Sequence, residues 1–140
     1  MKITAETTIT GDVNIIWDIV TDVKNWPVWD PHEEGARLDG PFAQGTKGWS
    51  KPKGGPPADW VITKVIDHNF WASESPMPGG KISGENTFEP LANGQVKLTK
   101  TVTVSGPLVP LFWLYFGRMI KRDFFATWAA LEREVAKRNK

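Results

Sequence analysis

The sequence contains no cysteine, and this absence excludes several kinds of site at once. Disulfide frameworks, thiolate metal sites, iron–sulfur clusters and cysteine nucleophiles all require that residue. Long hydrophobic runs are also missing. The longest, residues 108–116, has nine residues, whereas a helix that spans a bilayer needs about 20. We therefore expect no membrane-spanning segment.

Neither sign of charge dominates the chain, because 17 basic and 16 acidic residues leave a formal net charge of +1. This balance is not typical of a general nucleic-acid binder, so we expect no nucleic-acid partner. A length of 140 residues is close to the usual size of one domain, which predicts a single domain over residues 1–140. The first ten residues have no apolar secretory-signal centre, so the cytoplasm is the expected location.

Tryptophan is unusually frequent in this chain. Eight tryptophans accompany seven phenylalanines and one tyrosine, the reverse of ordinary usage. Each tryptophan buries roughly 150–250 Å² when it enters a core. Eight are more than a core of this size needs for stability alone. They therefore either pack an unusually bulky core or line a hollow.

Hydrophobic periodicity predicts one strand, two short helices, six further strands and a long final helix. Residues 2–10 alternate polar and apolar side chains, and residues 13–20 repeat apolar ones with helical spacing. A helical turn broken by prolines follows near Trp26-Pro27. The remaining predicted strands are 33–39, 46–51, 58–66, 69–75, 81–89 and 95–105. One apolar stripe predicts the last helix from about residue 110 to 137, and it consists of Trp113, Phe116, Gly117, Ile120, Phe124, Trp128, Leu131 and Val135.

The last two predicted strands alternate clearly enough to assign their inner faces. The inner face of 81–89 carries Ile82, Gly84, Asn86 and Phe88, and that of 95–105 carries Val96, Leu98, Lys100, Val102 and Val104. Strand 58–66 is ambiguous. Its inner face contains either Trp60, Ile62 and Ile66, or Val61 and Val65.

This order of elements is α+β and admits few architectures. A seven-stranded antiparallel sheet must cover its apolar face, and only the long helix is large enough to do so. We therefore expect a helix-grip fold: a curved sheet wrapped around the C-terminal helix, with two short helices after the first strand. Two short helices cannot close both ends of this wrap, so a cavity is expected between the sheet, the long helix and residues 26–29.

Several motifs spread over nearly the whole chain carry a resemblance to a known family. They are Ile9 and Gly11, Ile16 and Trp17, Asp22, Trp26-Pro27, Trp29-Asp30-Pro31, Gly45-Thr46, Asn93-Gly94 and Gly106-Pro107. With these motifs the chain resembles the START-like helix-grip (SRPBCC) superfamily, in particular its small polyketide cyclase/dehydrase-type proteins. The resemblance implies the helix-grip fold. It does not decide the activity, because the superfamily includes lipid carriers, hormone receptors and cyclases.

Two polar residues interrupt the predicted inner faces. Lys100 is alone on an otherwise apolar face, and burying a lone ammonium is costly, so it must reach solvent, pair with a carboxylate or meet a ligand anion. Asn86 either orients a ligand carbonyl or hydroxyl, or bonds a neighbouring strand or water. The other predicted ligand-binding residues are Trp29, Trp49, Phe88, Phe116, Ile120 and Phe124. Trp17 and Trp26 are expected to pack the core.

Few groups could exchange a proton at neutral pH. His68 lies in a predicted tight turn, whereas His32 follows Trp29-Asp30-Pro31 near the expected cavity mouth, beside Glu33 and Glu34. An enzyme would take its acid or base from His32, Lys100 or Glu85, although Glu85 is predicted to face outward, and no catalytic residue is assigned. The chain has no metal-ligand spacing, P-loop or Gly-x-Ser-x-Gly pattern, so we expect no metal and no cofactor.

The expected function is binding or carrying of a small hydrophobic or aromatic ligand, lipid- or polyketide-like, in the internal cavity. One alternative is a cyclase or dehydratase that uses a pocket acid or base to enolise a polyketide-like substrate. A second is a protein-interaction module that uses the apolar run 111–116. That run could equally form a portal, the contact of a homodimer or extra packing beneath the short helices.

Overall fold

The computed structural model of the chain describes residues 2–77, 79–107 and 109–138, with the backbone alone for residues 112–118. The strands are β1 (Lys2–Thr10), β2 (Glu33–Leu38), β3 (Lys47–Pro52), β4 (Ala58–Ile66), β5 (Phe70–Met77), β6 (Gly80–Pro90) and β7 (Gln95–Ser105). The helices are α1 (Val13–Thr21), α2 (Trp26–Trp29) and α3 (Val109–Arg138). The side chain of Phe116, a predicted ligand contact, lies outside the described residues, as do those of residues 112–115 in the apolar run.

The seven strands form one antiparallel sheet in the order β1-β7-β6-β5-β4-β3-β2. Strands β2 to β6 each pair with the next strand along the chain, and β1 joins the free edge of β7. The sheet is curved, and α3 packs on it mainly against β1 and β7. This arrangement confirms the predicted α+β helix-grip fold.

A β-bulge between Ile62 and Lys64 explains why the pattern of β4 was ambiguous. Before the bulge Trp60 and Ile62 are buried, and after it Val65 packs against the core while Ile66 is exposed. A bulge inserts one extra residue and so reverses which side chains face inward. Each of the two predicted faces is therefore right for part of the strand.

From Phe124 onward, helix α3 buries the stripe that its sequence predicts; the side chains of residues 113, 116 and 117 lie outside the described residues. Phe124, Trp128, Leu131 and Val135 are all buried. The turn between β1 and α1 packs closely against the end of this helix, because a Cβ added at Gly11 would lie 2.6 Å from Cγ1 of Val135. Within the described residues, no helix is long and apolar enough to cross a membrane.

One part of the interior is filled by an aromatic cluster, which consists of Trp17, Trp26, Phe42, Trp60, Trp71 and Phe88. Trp26 stacks on Trp60 with ring centroids 5.7 Å apart, and its indole N–H donates to the carbonyl of Val20 at 2.9 Å. Trp17 meets Phe88 edge-on at 5.5 Å. Trp17 and Trp26 thus pack the core as predicted, and four of the eight tryptophans belong to this cluster.

Candidate functional site

A cavity of about 250 Å³ lies between α3, β7 and the connection from α2 to β2, and it opens to solvent. The described residues that line it are Asp30, His32, Glu33, Lys100, Ile120, Asp123, Phe124, Thr127 and Trp128. A dry cavity of about 150 Å³ is enough to hold benzene. This one therefore has room for a molecule of one or two rings, between an apolar wall formed by Ile120, Phe124 and Trp128 and a polar wall formed by the other lining residues.

Lys100 points into the cavity from the middle of β7. Its Nζ lies 5.1 Å from the centre of the Phe124 ring, and no carboxylate of the described residues is within ion-pair distance of it. Burial lowers the pKa of its ammonium, and the negative charges of Asp30 and Glu33 oppose this shift. A cation over an aromatic face gains about 0.5–2 kcal/mol, which offsets only part of the cost of desolvation.

Glu33, the first residue of β2, lines the same cavity. Its Oε2 atom is buried and has no hydrogen-bond partner among the described residues. Burial raises the pKa of its carboxyl from 4.5 to about 7; the Asp30 carboxylate adds to the rise, and Lys100 opposes it. At neutral pH this carboxyl is therefore present in both its protonated and its ionised form.

A hydrogen-bonded group ties the α2–β2 connection to the middle of α3. Oδ1 of Asp30 accepts the backbone N–H of His32 at 2.9 Å and the hydroxyl of Thr127 at 3.3 Å. Nδ1 of His32 lies 3.0 Å from Oγ1 of Thr127, and its Nε2 lies 3.4 Å from Oδ1 of Asp123. His32 is thus held between two carboxylates at the edge of the cavity, with 35% of its side chain exposed.

The comparisons with known proteins agree with this fold. Over residues 1–136, the sequence matches the family described as Polyketide cyclase / dehydrase and lipid transport. The chain belongs to this family. None of the curated proteins matches it.

Solved structures similar to this family member include three of almost the same length. The Zhui aromatase/cyclase from a Streptomyces species is 15% identical with a TM-score of 0.78, and the match covers 100% of this chain and 96% of that one. A START superfamily protein from Mycobacterium smegmatis is 14% identical with a TM-score of 0.75 and 97% coverage of both chains. A protein from Thermus thermophilus is 14% identical with a TM-score of 0.78 and 100% coverage of both. At such identities the likeness concerns the fold alone, and it confirms the START-like architecture.

In this polyketide cyclase/dehydrase family member, three of the predicted ligand-binding residues line the cavity together: Lys100, Ile120 and Phe124. Asn86 is the cross-strand partner of Lys100 on β6, and its amide donates to the backbone carbonyl of Trp71 at 3.5 Å. It lies outside the lining of this cavity and bonds a neighbouring strand, one of its two predicted roles.

The other three described candidates do not line this cavity. Trp49 points to the opposite face of the sheet, because its neighbour Gly48 occupies the inward position under Trp60, and the Arg37 guanidinium lies 5.6 Å from the Trp49 ring centre. Phe88 is buried in the aromatic cluster. Trp29 packs against the core, and its buried Nε1 has no partner in the described part of the chain.

The sequence prediction missed most of the polar residues of the site. Asp123 and Thr127 stand three and seven residues after Ile120, so helical spacing already places them beside the predicted apolar stripe. Glu33 was harder to find, because a β-bulge between Glu33 and Gly35 breaks the alternation of β2. The prediction that only His32, Lys100 or Glu85 could supply an acid or base is wrong, since Glu33 lines the cavity while Glu85 is exposed as expected.

The carboxylates and His32 do not form a metal centre. Among the described residues, no three histidine, aspartate or glutamate side chains are arranged to hold a metal ion. Asp30 and Asp123 are already engaged with His32 and Thr127. What the site offers chemically is a proton donor or acceptor, an amine and an apolar wall.

Proposed function

We propose that this chain binds a small, largely apolar molecule bearing a polar oxygen group in the cavity, and that Glu33 transfers a proton to or from it. The observation that carries this proposal is the buried, unpartnered Oε2 of Glu33 in a cavity wall. An acid or base is most effective when its pKa is near the working pH, and the pKa of Glu33 is about 7.

The two walls of the cavity give the ligand an orientation. Its apolar body packs against Ile120, Phe124 and Trp128, and its oxygen faces the polar side, where Lys100 donates a hydrogen bond to it. Glu33 can then remove a proton from a carbon next to a carbonyl, or deliver one to a departing hydroxyl. These are the steps of enolisation, ring closure and loss of water, which suit a cyclase or dehydratase.

Simple carriage of a ligand is the second candidate. The apolar face formed by Ile120, Phe124 and Trp128 favours it, because burial of apolar surface alone gives affinity, at about 25 cal/mol per Å². A carrier has no need of an unpartnered carboxyl in its cavity, however, and leaving such a group desolvated is costly. Glu33 therefore favours the proton-transfer function.

Binding is tested with naphthol, a neutral two-ring probe with one oxygen. In calorimetry naphthol should bind the wild type, and Ile120→Trp, which fills the cavity, should abolish the binding heat. Met119→Trp is the matched control, because Met119 is the preceding residue of α3 and is 45% exposed. Circular dichroism checks that both variants are folded. Absence of binding to the wild type, or equal loss in both variants, would contradict the proposed site.

Proton transfer is tested with acetophenone in deuterium oxide. The protein should accelerate exchange of the methyl hydrogens, and Glu33→Gln should lower that rate by about 100-fold or more while naphthol still binds, since general acid–base catalysis contributes about 10²–10⁴-fold. Glu34→Gln, which changes an exposed neighbour, should exchange at the wild-type rate. Naphthol binding without any effect of Glu33→Gln on exchange would leave carriage as the function.

A further inference from the structure

The amine of Lys100 lies in the cavity, unlike the amines of the other lysines that have described contacts. Lys100 is the one lysine or arginine among the described residues that line the cavity. Lys97, on the same strand, faces the other side of the sheet, where its Nζ pairs with Oε2 of Glu6 at 3.3 Å. Lys51 and Lys81 likewise pair with glutamates, at 2.6 and 3.0 Å. Only a ring face, that of Phe124, is in described contact with the Lys100 amine.

A lysine amine that lies in a cavity against an apolar wall is suited to nucleophilic chemistry. Desolvation against an apolar wall favours the neutral form, and burial lowers the pKa of Lys100. The neutral amine has the lone pair that attacks a carbonyl carbon, which is how desolvated lysines form Schiff bases. The amine is directed at the space that the proposed function assigns to the ligand.

The second requirement for Schiff-base formation is an acid in the same space. Addition to a carbonyl creates an alkoxide and then requires the loss of water, and both steps consume a proton at oxygen. Glu33 lines the same cavity, and its Oε2 is not engaged with any described residue. Asp30 and Asp123 are committed to His32 and Thr127, so they do not compete for this role.

We propose that Lys100 forms a reversible Schiff base with the carbonyl carbon of an aldehyde or ketone bound in the cavity. This inference rests on the proposed function and narrows its ligand to a carbonyl compound. The covalent bond also helps the proposed proton transfer, because a protonated imine withdraws electrons from the adjacent carbon more strongly than a carbonyl does.

The step balances without any oxidant or reductant. The Nζ lone pair forms the C–N bond while the carbonyl π pair moves to oxygen, which takes the proton of the Glu33 carboxyl. The resulting carboxylate then removes a proton from nitrogen. Glu33 returns this proton to the hydroxyl, water leaves with the C–O electron pair, and the nitrogen lone pair closes the C=N bond. The products are a protonated imine, the Glu33 carboxylate and one water molecule.

The experiment uses naphthaldehyde with cyanoborohydride, a hydride donor that reduces the imine to a stable amine. Mass spectrometry of wild-type protein at neutral pH should show one added naphthylmethyl group, and peptide mapping should place it on Lys100. Lys100→Met should lose this adduct. Lys97→Met, the matched change on the outer side of β7, should keep it. Circular dichroism establishes that both variants are folded.

Naphthyl methanol, which has the same body but no carbonyl, separates this inference from the proposed function. It should bind the wild type and suppress labelling of Lys100. If it binds while the aldehyde labels surface lysines at rates that Lys100→Met leaves unchanged, the Schiff base is wrong and the proposed function stands. If neither compound binds, both proposals fall. Slower trapping in Glu33→Gln, with unchanged binding of naphthyl methanol, would support the acid role of Glu33.

Discussion

Gly48 and Trp60 are directly opposite each other on β3 and β4, and the indole of Trp60 lies flat over the glycine. A Cβ on residue 48 would overlap the indole ring, so the absence of a side chain is what allows Trp60 to enter the aromatic cluster. The same contact fixes the orientation of β3 and sends Trp49 to the opposite face of the sheet.

Gly48→Ala should therefore destabilise the protein by about 1–3 kcal/mol, because overpacking forces a buried ring to move. Urea denaturation measures this change. Gly84→Ala is the control, since the nearest atom to its added Cβ would be Oγ of Ser73 at 3.9 Å, and it should be neutral or slightly stabilising. Equal destabilisation by both variants would mean that loss of glycine in a strand, and not the Trp60 contact, matters.

Glu33 should make stability depend on pH in a defined window. Its carboxyl keeps a proton up to about pH 7 when folded but only to 4.5 when unfolded, so the folded state binds more protons between those values. The free energy of unfolding therefore falls as the pH rises from 4.5 to 7. Above pH 7 the full cost of keeping an ionised Glu33 in the folded protein is present.

Glu33→Gln removes this titration, and the variant should gain stability relative to wild type across that window. Chemical denaturation at a series of pH values measures the difference. Glu34→Gln, which breaks a surface pair with Lys51, should give a difference that hardly changes with pH. If the unfolding free energy of Glu33→Gln changed with pH in the same way as that of the wild type, Glu33 would not be desolvated in the folded protein.

Thr127→Val tests the hydrogen-bonded group at the edge of the cavity. The change keeps the shape of the side chain but removes the hydroxyl shared by Asp30 and His32. The loss should be about 1–3 kcal/mol of unfolding free energy, because two hydrogen bonds are removed and each has a usual net value of about 0.5–1.5 kcal/mol. Thr99→Val makes the same change on the outer face of β7 and should cost less; an equal cost would argue against the described bonds.

Trp128 and Trp49 should respond differently to a bound quencher. Nitrobenzene in the cavity lies against Trp128, whereas Trp49 is on the other face of the sheet. Trp128→Phe should remove a large part of the fluorescence quenching seen with the wild type, and Trp49→Phe should not. Loss of quenching in Trp49→Phe alone would restore Trp49 as a ligand contact.

The fold could be predicted from the sequence because its regular parts carry strong patterns. The alternation of β7 assigned an inner face that contains Val96, Leu98 and Lys100, and the stripe of α3 assigned Phe124 and Trp128 to the interior; all of these are where the pattern put them.

The site was harder to predict because it depends on departures from regularity. Two β-bulges, after Ile62 and after Glu33, reverse which side chains face inward along β4 and β2. A prediction from the sequence pattern assumes that the alternation continues without such a break. The meeting of Asp30 and His32 with Asp123 and Thr127 joins two segments that are far apart in the chain, and periodicity contains no information on such pairs. The sequence also left open whether the tryptophans pack a bulky core or line a hollow. That outcome depends on which indole rings contact each other in the fold, and composition does not contain this information.

In the proposed function, the aromatic cluster limits how far a bound ligand can extend across the sheet from Lys100. Lys100, Asn86 and Trp71 are cross-strand neighbours on β7, β6 and β5, so the backbone of Trp71, the nearest cluster residue in this row, is two strand spacings, about 10 Å, from that of Lys100. A relative with small residues in place of Trp71, Trp60 and Phe42 would have a longer chamber around the same reactive groups. In the proposed function, these three aromatic positions therefore set the size of the ligand, whereas Glu33 and Lys100 set the chemistry.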